Sequence, residues 1–203
     1  MHTRINYAID HLGLTHIGEN RVPELLEKYD GIHKATPDGK PVSIHFIGHL
    51  QTNKVKQVVG KVDLIQSVDS LRLLEAIHTE AARQGICQDI LLEVNIGQEE
   101  SKHGLSTAEL PGILEKMGSF PHVRMLGLMC IPPICENSTN SFKFFQEMYN
   151  LSVDIMRKKY DNVCVNILSM GMSGDYREAI ACGSTMIRIG TAIFGARDYT
   201  RTS

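Results

Sequence analysis

The segment Ile187-Arg188-Ile189-Gly190-Thr191 places a charged residue inside an apolar strand. Side chains alternate between the two faces of a strand, so Ile187 and Ile189 share one face while Arg188 and Gly190 share the other. A buried arginine needs a partner, either a buried carboxylate or a ligand. The strand then ends in Gly-Thr, which offers a hydroxyl and accessible backbone amides. The segment therefore predicts a strand whose second face requires a fixed positive charge.

The overall composition limits the class of protein. The chain has 203 residues, is 42% hydrophobic and carries a formal net charge of -2. This length suits one domain with a large core, and we interpret residues 1–203 as a single domain. The near-neutral charge gives no reason to expect nucleic acid or an anionic membrane as a partner, and no apolar run reaches the roughly 18 residues of a membrane span. We expect a cytoplasmic protein without a signal peptide.

The cysteines indicate neither a disulfide framework nor a zinc site. There are five of them, an odd number, and no two have CxxC spacing. We interpret them as reduced and mostly buried: Cys87, Cys130, Cys135, Cys164 and Cys182.

Short apolar runs alternate with amphipathic segments along the whole chain. Seven runs are predicted strands: 15–19, 43–48, 64–68, 90–96, 124–131, 165–170 and 186–190. Asp69 is a predicted helix cap, and Ser106 with Glu109 forms a predicted capping box. The predicted buried helix faces are Ile5, Ala8, Ile9 and Leu12; Leu71, Leu74, Ile77 and Ala81; Leu110, Ile113 and Met117; and Phe142, Phe145, Tyr149, Ser152 and Met156.

This alternation predicts a parallel sheet, either an open doubly wound sheet or a (βα)8 barrel. Most predicted strands end in a polar or small residue, which would gather polar groups at one rim. The loops at 169–175 and 190–191 follow the last two strands, where barrels commonly bind phosphate. An open sheet would bind a nucleotide through a Gly-rich first turn, which the sequence lacks. The sequence therefore favours the barrel.

Simpler structural roles exist for the residues of these loops. Ser173 and Thr191 could act as helix caps, and Gly190 could serve only the backbone conformation. His45 and His49 are four residues apart, but that spacing aligns metal ligands on a helix, whereas here it crosses a strand and a turn. We therefore assign packing or hydrogen bonding to these histidines and predict no metal site.

The chain resembles the pyridoxal phosphate homeostasis protein family over nearly its whole length. The matching stretches are His16-Ile17-Gly18-Glu19-Asn20, His45-Phe46-Ile47-Gly48-His49-Leu50-Gln51, Ser67-Val68-Asp69, Glu100-Ser101-Lys102-His103-Gly104, Gly127-Leu128-Met129, Leu168-Ser169-Met170-Gly171-Met172-Ser173 and Arg188-Ile189-Gly190-Thr191-Ala192-Ile193-Phe194-Gly195. The resemblance implies a single-domain (βα)8 TIM-type barrel that binds pyridoxal 5'-phosphate (PLP), similar to the N-terminal domain of alanine racemase. It also implies a monomer that carries or buffers PLP, influences vitamin B6 and amino-acid balance, catalyses no turnover, and has PLP-dependent apo-enzymes as possible recipients.

The resemblance also implies a set of cofactor-binding residues. Ser173, Gly190 and Thr191 would hold the PLP phosphate, with Ser169 close by. Arg188 would face the pyridine nitrogen, which accounts for the charge in the apolar strand. Asn20 would lie near the pyridine ring, and His49 would lie behind it.

The family's Schiff-base lysine ends a strand that has no match in this sequence. The sequence opens in the helix that follows that strand, and its first lysine is Lys28. We therefore expect a barrel without its first strand, N-terminally incomplete, that binds PLP without the usual covalent bond. Lys102 matches a loop lysine of the family. Two rival functions are a small PLP-dependent racemase and a barrel for another phosphorylated metabolite.

Overall fold

The structure, a computed structural model, describes residues 2–99, 102–133 and 138–195. Their strands form one seven-stranded sheet in which every neighbouring pair is parallel and the spatial order follows the chain. The strands are β1 (His16–Glu19), β2 (Ser43–Phe46), β3 (Leu64–Val68), β4 (Gln88–Val94), β5 (Val123–Cys130), β6 (Val163–Met172) and β7 (Met186–Arg188). All seven predicted strands are confirmed, with ends shifted by at most two residues.

Helices connect successive strands, as right-handed parallel crossovers require. They are α1 (His2–Leu12), α2 (Val22–Tyr29), α3 (Val55–Val58), α4 (Leu71–Gln84), α5 (Leu110–Lys116), α6 (Ser138–Lys158), α7 (Tyr176–Ala181) and α8 (Thr191–Phe194), with single 3-10 turns at Thr52–Lys54 and Met117–Ser119. Among the described residues, no helix is both long enough and apolar enough to cross a membrane.

The sheet curves into a nearly closed barrel, which confirms the predicted fold class. The Gln66 side chain on β3 reaches Met186 Sδ on β7 at 3.1 Å and accepts from Ser169 Oγ on β6 at 2.7 Å. Such contacts between distant strands require the sheet to close around an interior. The first and last described helices also meet, since Arg4 Nη1 on α1 donates to Phe194 O on α8 at 3.3 Å.

Among the residues that the structure describes, two apolar clusters stabilise the barrel. The large one lies between the sheet and the helices, and the small one lies inside the barrel around Leu64, Leu91 and Met129, with Ile167 and Met186 packed against it. Side chains repeat every two residues along a strand, so the residue two positions later faces the same interior. The inner apolar layer thus predicts a second interior layer nearer the carboxyl ends of the strands.

The helix faces agree with the sequence pattern except at their edges. On α6 the buried face is Ser141, Phe145, Met148, Ser152 and Ile155, whereas the predicted Phe142, Tyr149 and Met156 are each more than 40% exposed. Spacings of three and four residues fit either stripe, and only the angle at which α6 packs on the sheet selects between them. Leu12 on α1, also predicted to be buried, is exposed.

The predicted cap at Asp69 is wrong. Ser70 caps α4 instead, its hydroxyl accepting from Leu73 N at 3.3 Å, while Asp69 Oδ1 accepts from Ser70 Oγ at 3.1 Å. The predicted capping box is confirmed, since Ser106 N donates to Glu109 Oε2 at 2.8 Å and Glu109 N donates to Ser106 Oγ at 3.3 Å.

The cysteines are less buried than predicted. Cys130 and Cys182 are buried, but Cys87 and Cys164 are exposed, and Cys135 lies outside the described residues. Burial raises the pKa of the Cys130 thiol to about 12, which makes this thiol a poor nucleophile.

A buried ion pair joins the end of β1 to α2. Lys28 Nζ donates to both carboxylate oxygens of Glu19 at 3.0 Å, and Glu24 Oε2 lies 3.6 Å from the same nitrogen. Desolvation makes such a pair costly to break, because removing one partner leaves the other charge in a poorly solvated site.

Replacing Lys28 by Met should lower the free energy of unfolding by about 3 kcal/mol, since the Glu19 carboxylate then loses its buried cation. Urea unfolding of both proteins measures this difference. Lys40→Met is the matched control, because the Lys40–Asp38 pair is 68% and 58% exposed and should contribute little. Equal unfolding midpoints for the Lys28→Met variant and the unaltered chain would contradict the assignment.

Candidate functional site

Arg188 lies at the end of β7 and points into the barrel. Its Nη1 donates to Ser169 Oγ at 2.6 Å, and its Nη2 donates to the Cys130 carbonyl at 2.8 Å. Burial lowers the pKa of the Arg188 guanidinium, and the nearby Cys130, Glu93 and Asp175 partly offset this effect. From the sequence, the direct partner of this arginine could be either a buried carboxylate or a ligand. In the structure, the hydrogen bonds of Arg188 go instead to a hydroxyl and a carbonyl.

Arg188 belongs to the second interior layer, directly above the inner apolar cluster. Each polar residue of the second layer lies two positions after an apolar interior residue of the same strand. Gln66 follows Leu64, Glu93 follows Leu91, Ser169 follows Ile167, and Arg188 follows Met186. The strand period of two therefore places this polar layer nearer the rim than the apolar layer.

A directed chain of hydrogen bonds runs through this layer. Arg188 donates to Ser169 Oγ, and Ser169 Oγ donates to Gln66 Oε1 at 2.7 Å. The Gln66 amide nitrogen then donates to His45 Nδ1 at 2.9 Å. Since an amide NH₂ only donates, His45 Nδ1 must accept and the ring proton sits on Nε2. That nitrogen lies 3.0 Å from Ser43 Oγ and 3.3 Å from His16 Nδ1.

His45 is neutral at physiological pH in this arrangement. Burial, followed by the nearby His16, lowers the pKa of His45 to about 4. Protonation of the ring would add a hydrogen on Nδ1, facing the amide donor of Gln66. These contacts are the hydrogen bonding that the sequence predicted for His45.

Glu93 is another titratable group of the interior. It is 7% exposed on β4, and its pKa is raised to about 7, first by burial and then by Asp69, while Arg188 opposes the rise. The charge of Glu93 near neutral pH therefore depends on the charged groups beside it, Asp69 and Arg188. Sequence analysis did not select Glu93 or Gln66, although each is a polar residue inside an apolar strand, the same signal that drew attention to Arg188.

Ser173 connects the loop after β6 to the segment after β7. Its hydroxyl accepts from the Gly190 and Ala192 amides, each at 3.3 Å. Two backbone N–H groups and one hydroxyl thus converge at one point of the rim. Ser173 is half-buried, whereas Gly190 and Thr191 are exposed. A Cβ added to Gly174 or Gly190 would meet nothing within 4 Å, so the space around these two glycines is open.

The predicted site residues separate into two groups. Ser169, Ser173, Arg188, Gly190 and Thr191 come together on β6, β7 and the loops that follow them. Asn20 and His49 lie on the loops after β1 and β2, both exposed. None of the hydrogen bonds found among the described residues joins these two to Arg188 or Ser173. His49 Nδ1 contacts Asp69 Oδ2 at 3.1 Å instead.

Neither of the two lysines considered from the sequence has a side chain directed at Arg188 or Ser173. Lys28 is buried in its pair with Glu19. Lys102 Nζ lies 2.5 Å from Glu99 Oε2 and donates to the Pro132 carbonyl at 3.2 Å.

Comparison with known proteins relates both sequence and fold to characterised families. A sequence model of the alanine racemase N-terminal domain matches residues 3–198. The pyridoxal phosphate homeostasis protein of Aquifex aeolicus is 44% identical over 187 residues, which cover 92% of this chain and 79% of that protein. The protein of the same name from Escherichia coli K12 is 36% identical over 194 residues, covering 96% of this chain and 80% of the relative.

Solved structures show the same relationship at the level of the fold. PipY of Synechococcus elongatus with PLP bound is 31% identical, has a TM-score of 0.81, and is aligned over 95% of this chain and 86% of its own. Alanine racemase of Clostridium difficile is 14% identical with a TM-score of 0.71, over 95% of this chain and 48% of the racemase. At that identity the racemase shows a shared fold.

Replacing Glu93 by Gln should change how stability depends on pH. The Glu93 pKa is raised in the folded state, so the unfolded chain loses this proton near pH 4.5 and the folded chain near pH 7. This group therefore makes the folded state less stable as pH rises through that window, by up to about 3 kcal/mol, and Glu93→Gln removes that loss.

Urea unfolding at several pH values between 4.5 and 7.5 measures the effect. The stability of Glu93→Gln relative to the unaltered chain should increase with pH. Glu115→Gln, on the exposed side of α5, controls for the loss of one negative charge. A difference that stays constant across the window would refute the assignment.

Proposed function

The chain belongs to the alanine racemase N-terminal domain family and, within it, to the pyridoxal phosphate homeostasis proteins, and from this premise we propose that it binds PLP. We infer that it serves PLP (vitamin B6) and amino-acid homeostasis without catalysing a reaction. The observation that carries this proposal is the position of Arg188, which pairs in register with Met172, the residue before Ser173, while Gly190 N donates to Ser173 Oγ.

The rim residues fit a phosphate group. The Gly190 and Ala192 amides each donate to Ser173 Oγ at 3.3 Å, and the space beside Gly174 and Gly190 is open. Backbone amides and hydroxyls are suitable donors for an anion with several acceptor oxygens. Thr191 adds a second hydroxyl on the same exposed segment. In our proposal Ser173, Gly190 and Thr191 bind the phosphate.

Arg188 fits the pyridine end of the same molecule. Arg188 ends β7 and Gly190, two residues later, is the N-cap residue of α8, a distance that two residues span with at most about 7 Å. This is the scale of a pyridine ring with its phosphate arm. A guanidinium can donate a hydrogen bond to an unprotonated pyridine nitrogen, but it has no acidic proton to give at neutral pH.

The choice of Arg188 as the partner of the pyridine nitrogen bears on whether the site catalyses a reaction. When bound, PLP supplies an electron sink whose strength depends on protonation of its ring nitrogen. A carboxylate partner would favour protonation, whereas Arg188 disfavours it. Ser169 and the Cys130 carbonyl hold the guanidinium in place, and Gln66 in turn orients Ser169. We infer a site suited to holding PLP rather than to demanding carbanion chemistry.

Several further predictions belong to this proposal. Asn20 would lie near the ring and His49 behind it, with Ser169 close to the phosphate-binding residues. Residues 1–203 would act as one monomeric PLP-binding domain in the cytoplasm, releasing PLP to PLP-dependent apo-enzymes. The described contacts of Lys28 and Lys102 support binding through the phosphate and Arg188 without a covalent bond to either lysine.

Titration with PLP, followed by the quenching of protein fluorescence or by equilibrium dialysis, tests the phosphate site. Ser173→Ala should weaken PLP binding by roughly tenfold, the loss of one hydrogen bond to a charged group. Inorganic phosphate should compete. Thr79→Ala is the control, since its hydroxyl donates within α4 to the Glu75 carbonyl at 2.8 Å and is distant in sequence from both loops. Equal PLP affinity of Ser173→Ala and the unaltered chain would overturn the proposal. Tighter binding of a sugar phosphate than of PLP would also overturn it.

Borohydride reduction followed by peptide mass mapping tests the mode of binding. We expect no stoichiometric modification of Lys28 or Lys102, because both ammonium groups are engaged with carboxylates. A stoichiometric adduct at one of them would show a covalent carrier. Incubation of the PLP-loaded chain with L-alanine tests the absence of turnover, and a loss of optical rotation would revive the racemase alternative.

A further inference from the structure

We propose that His49, Asp69 and His103 form a binding site for a divalent first-row transition metal, with Zn²⁺ as its probe. The three side chains belong to the loops after β2, β3 and β4. One donor atom from each lies within 4.8 Å of the other two. His49 is shared with the residues proposed to lie around the PLP ring, whereas Asp69 and His103 lie outside that set, and Zn²⁺ binding does not depend on PLP.

The distances are close to those that a metal requires. Asp69 Oδ2 lies 3.1 Å from His49 Nδ1 and 3.8 Å from His103 Nδ1. Ligands at 2.0–2.1 Å from a tetrahedral zinc are separated from each other by about 3.3 Å. At 3.8 Å the His103 nitrogen is too far for a hydrogen bond, so this ring is held beside the carboxylate by other contacts. The two imidazoles stack with centroids 3.7 Å apart and planes 10° apart. Because a metal lies in the plane of each imidazole that ligates it, one of these exposed rings must rotate out of the stack when the ion binds.

Neighbouring groups orient the carboxylate. Asp69 Oδ1 accepts from Ser70 Oγ, which leaves Oδ2 facing the two imidazoles. Such a second hydrogen bond to a ligating carboxylate is typical of built metal sites. Asp69 is only 12% exposed, compared with 42% for His49 and 58% for His103, so the site has a fixed base and an open side.

The backbone places His49 at this position. Ser67 Oγ donates to the Gly48 carbonyl at 2.5 Å, which ties the end of β3 to the residue before His49. A Cβ on Gly48 would lie 2.0 Å from the Asn20 carbonyl oxygen, so only glycine allows this close approach of the loops.

A folded loop places His103. Leu105 pairs with the end of β4, donating to the Glu93 carbonyl at 2.8 Å and accepting from Asn95 N at 3.0 Å. Gly104 has a φ of +115°, and a Cβ there would lie 2.6 Å from Asn95 N. The Asn95 side chain closes the loop by donating to the Glu99 carbonyl at 2.8 Å. These contacts return the chain to the strand end immediately after His103.

The donor set selects the class of metal. Two imidazole nitrogens and one carboxylate oxygen suit Zn²⁺, Co²⁺, Ni²⁺ or Cu²⁺, whereas Mg²⁺ and Ca²⁺ prefer oxygen ligands alone. Three protein ligands with an open side leave at least one position for water or another ligand. Sequence analysis considered His45 with His49 and rejected a metal because their spacing crosses a strand and a turn. The structure pairs His49 with residues 20 and 54 positions away, which no local motif would show.

Zn²⁺ competition against a chromogenic chelator tests the site without PLP, so failure of the PLP proposal would not affect it. The protein carries no histidine tag, and Cys87, Cys135 and Cys164 are replaced by Ser so that thiols do not compete. This background protein should bind one Zn²⁺, with affinity reduced at least about tenfold by His103→Ala and by Asp69→Asn. Co²⁺ should give a visible absorption band in the background protein and lose it in both variants.

His33→Ala is the matched control. It removes an imidazole that lies 2.9 Å from Asp10, a pair outside the proposed site, and should leave Zn²⁺ affinity unchanged. Zn²⁺ should also raise the melting temperature of the background protein and of His33→Ala, but not that of His103→Ala. A background protein that does not bind Zn²⁺, a His103→Ala variant with undiminished affinity, or an equal loss in His33→Ala would overturn the proposal.

Discussion

The burial of the Arg188 charge inside a parallel barrel is the constraint on which the rest of the interior depends. A guanidinium removed from water needs acceptors in fixed directions, and Ser169 Oγ and the Cys130 carbonyl supply them. Because Ser169 Oγ accepts from the arginine, its hydroxyl donates its own hydrogen bond to another group, Gln66 Oε1. The Gln66 amide then determines the tautomer of His45. One charge thus orders the polar groups of four strands.

The same interior holds two groups whose charge can change. Burial keeps His45 neutral by lowering its pKa to about 4. Burial also raises the pKa of the Glu93 carboxyl to about 7, so this group titrates near neutral pH. Arg188 lowers the pKa of Glu93, so any molecule that offsets the arginine's charge would favour the protonated carboxyl. An anionic ligand close to Arg188 would therefore be electrostatically coupled to Glu93, although the two residues sit on different strands.

The rim divides into two chemically different regions. The loops after β6 and β7 present hydroxyls and backbone amides, which suit a phosphate, whereas the loops after β2, β3 and β4 present two imidazoles and a carboxylate, which suit a metal. Both regions stand on short parallel strands whose carboxyl ends face the same side of the sheet. This arrangement explains how one rim can carry two sites of opposite charge preference.

The sequence by itself determined the seven strands, their parallel order and the Arg188, Ser173 and Gly190 candidates, because the period of two and the polar strand ends are local signals. It could not determine which stripe of α6 is buried, since spacings of three and four residues fit both Phe145 with Met148 and Phe142 with Tyr149. Only the tertiary structure decided that Gln66 meets Ser169, 103 residues away, and that His49 meets Asp69 and His103. Such contacts arise from closure of the sheet, which brings together strand ends that are far apart in the chain.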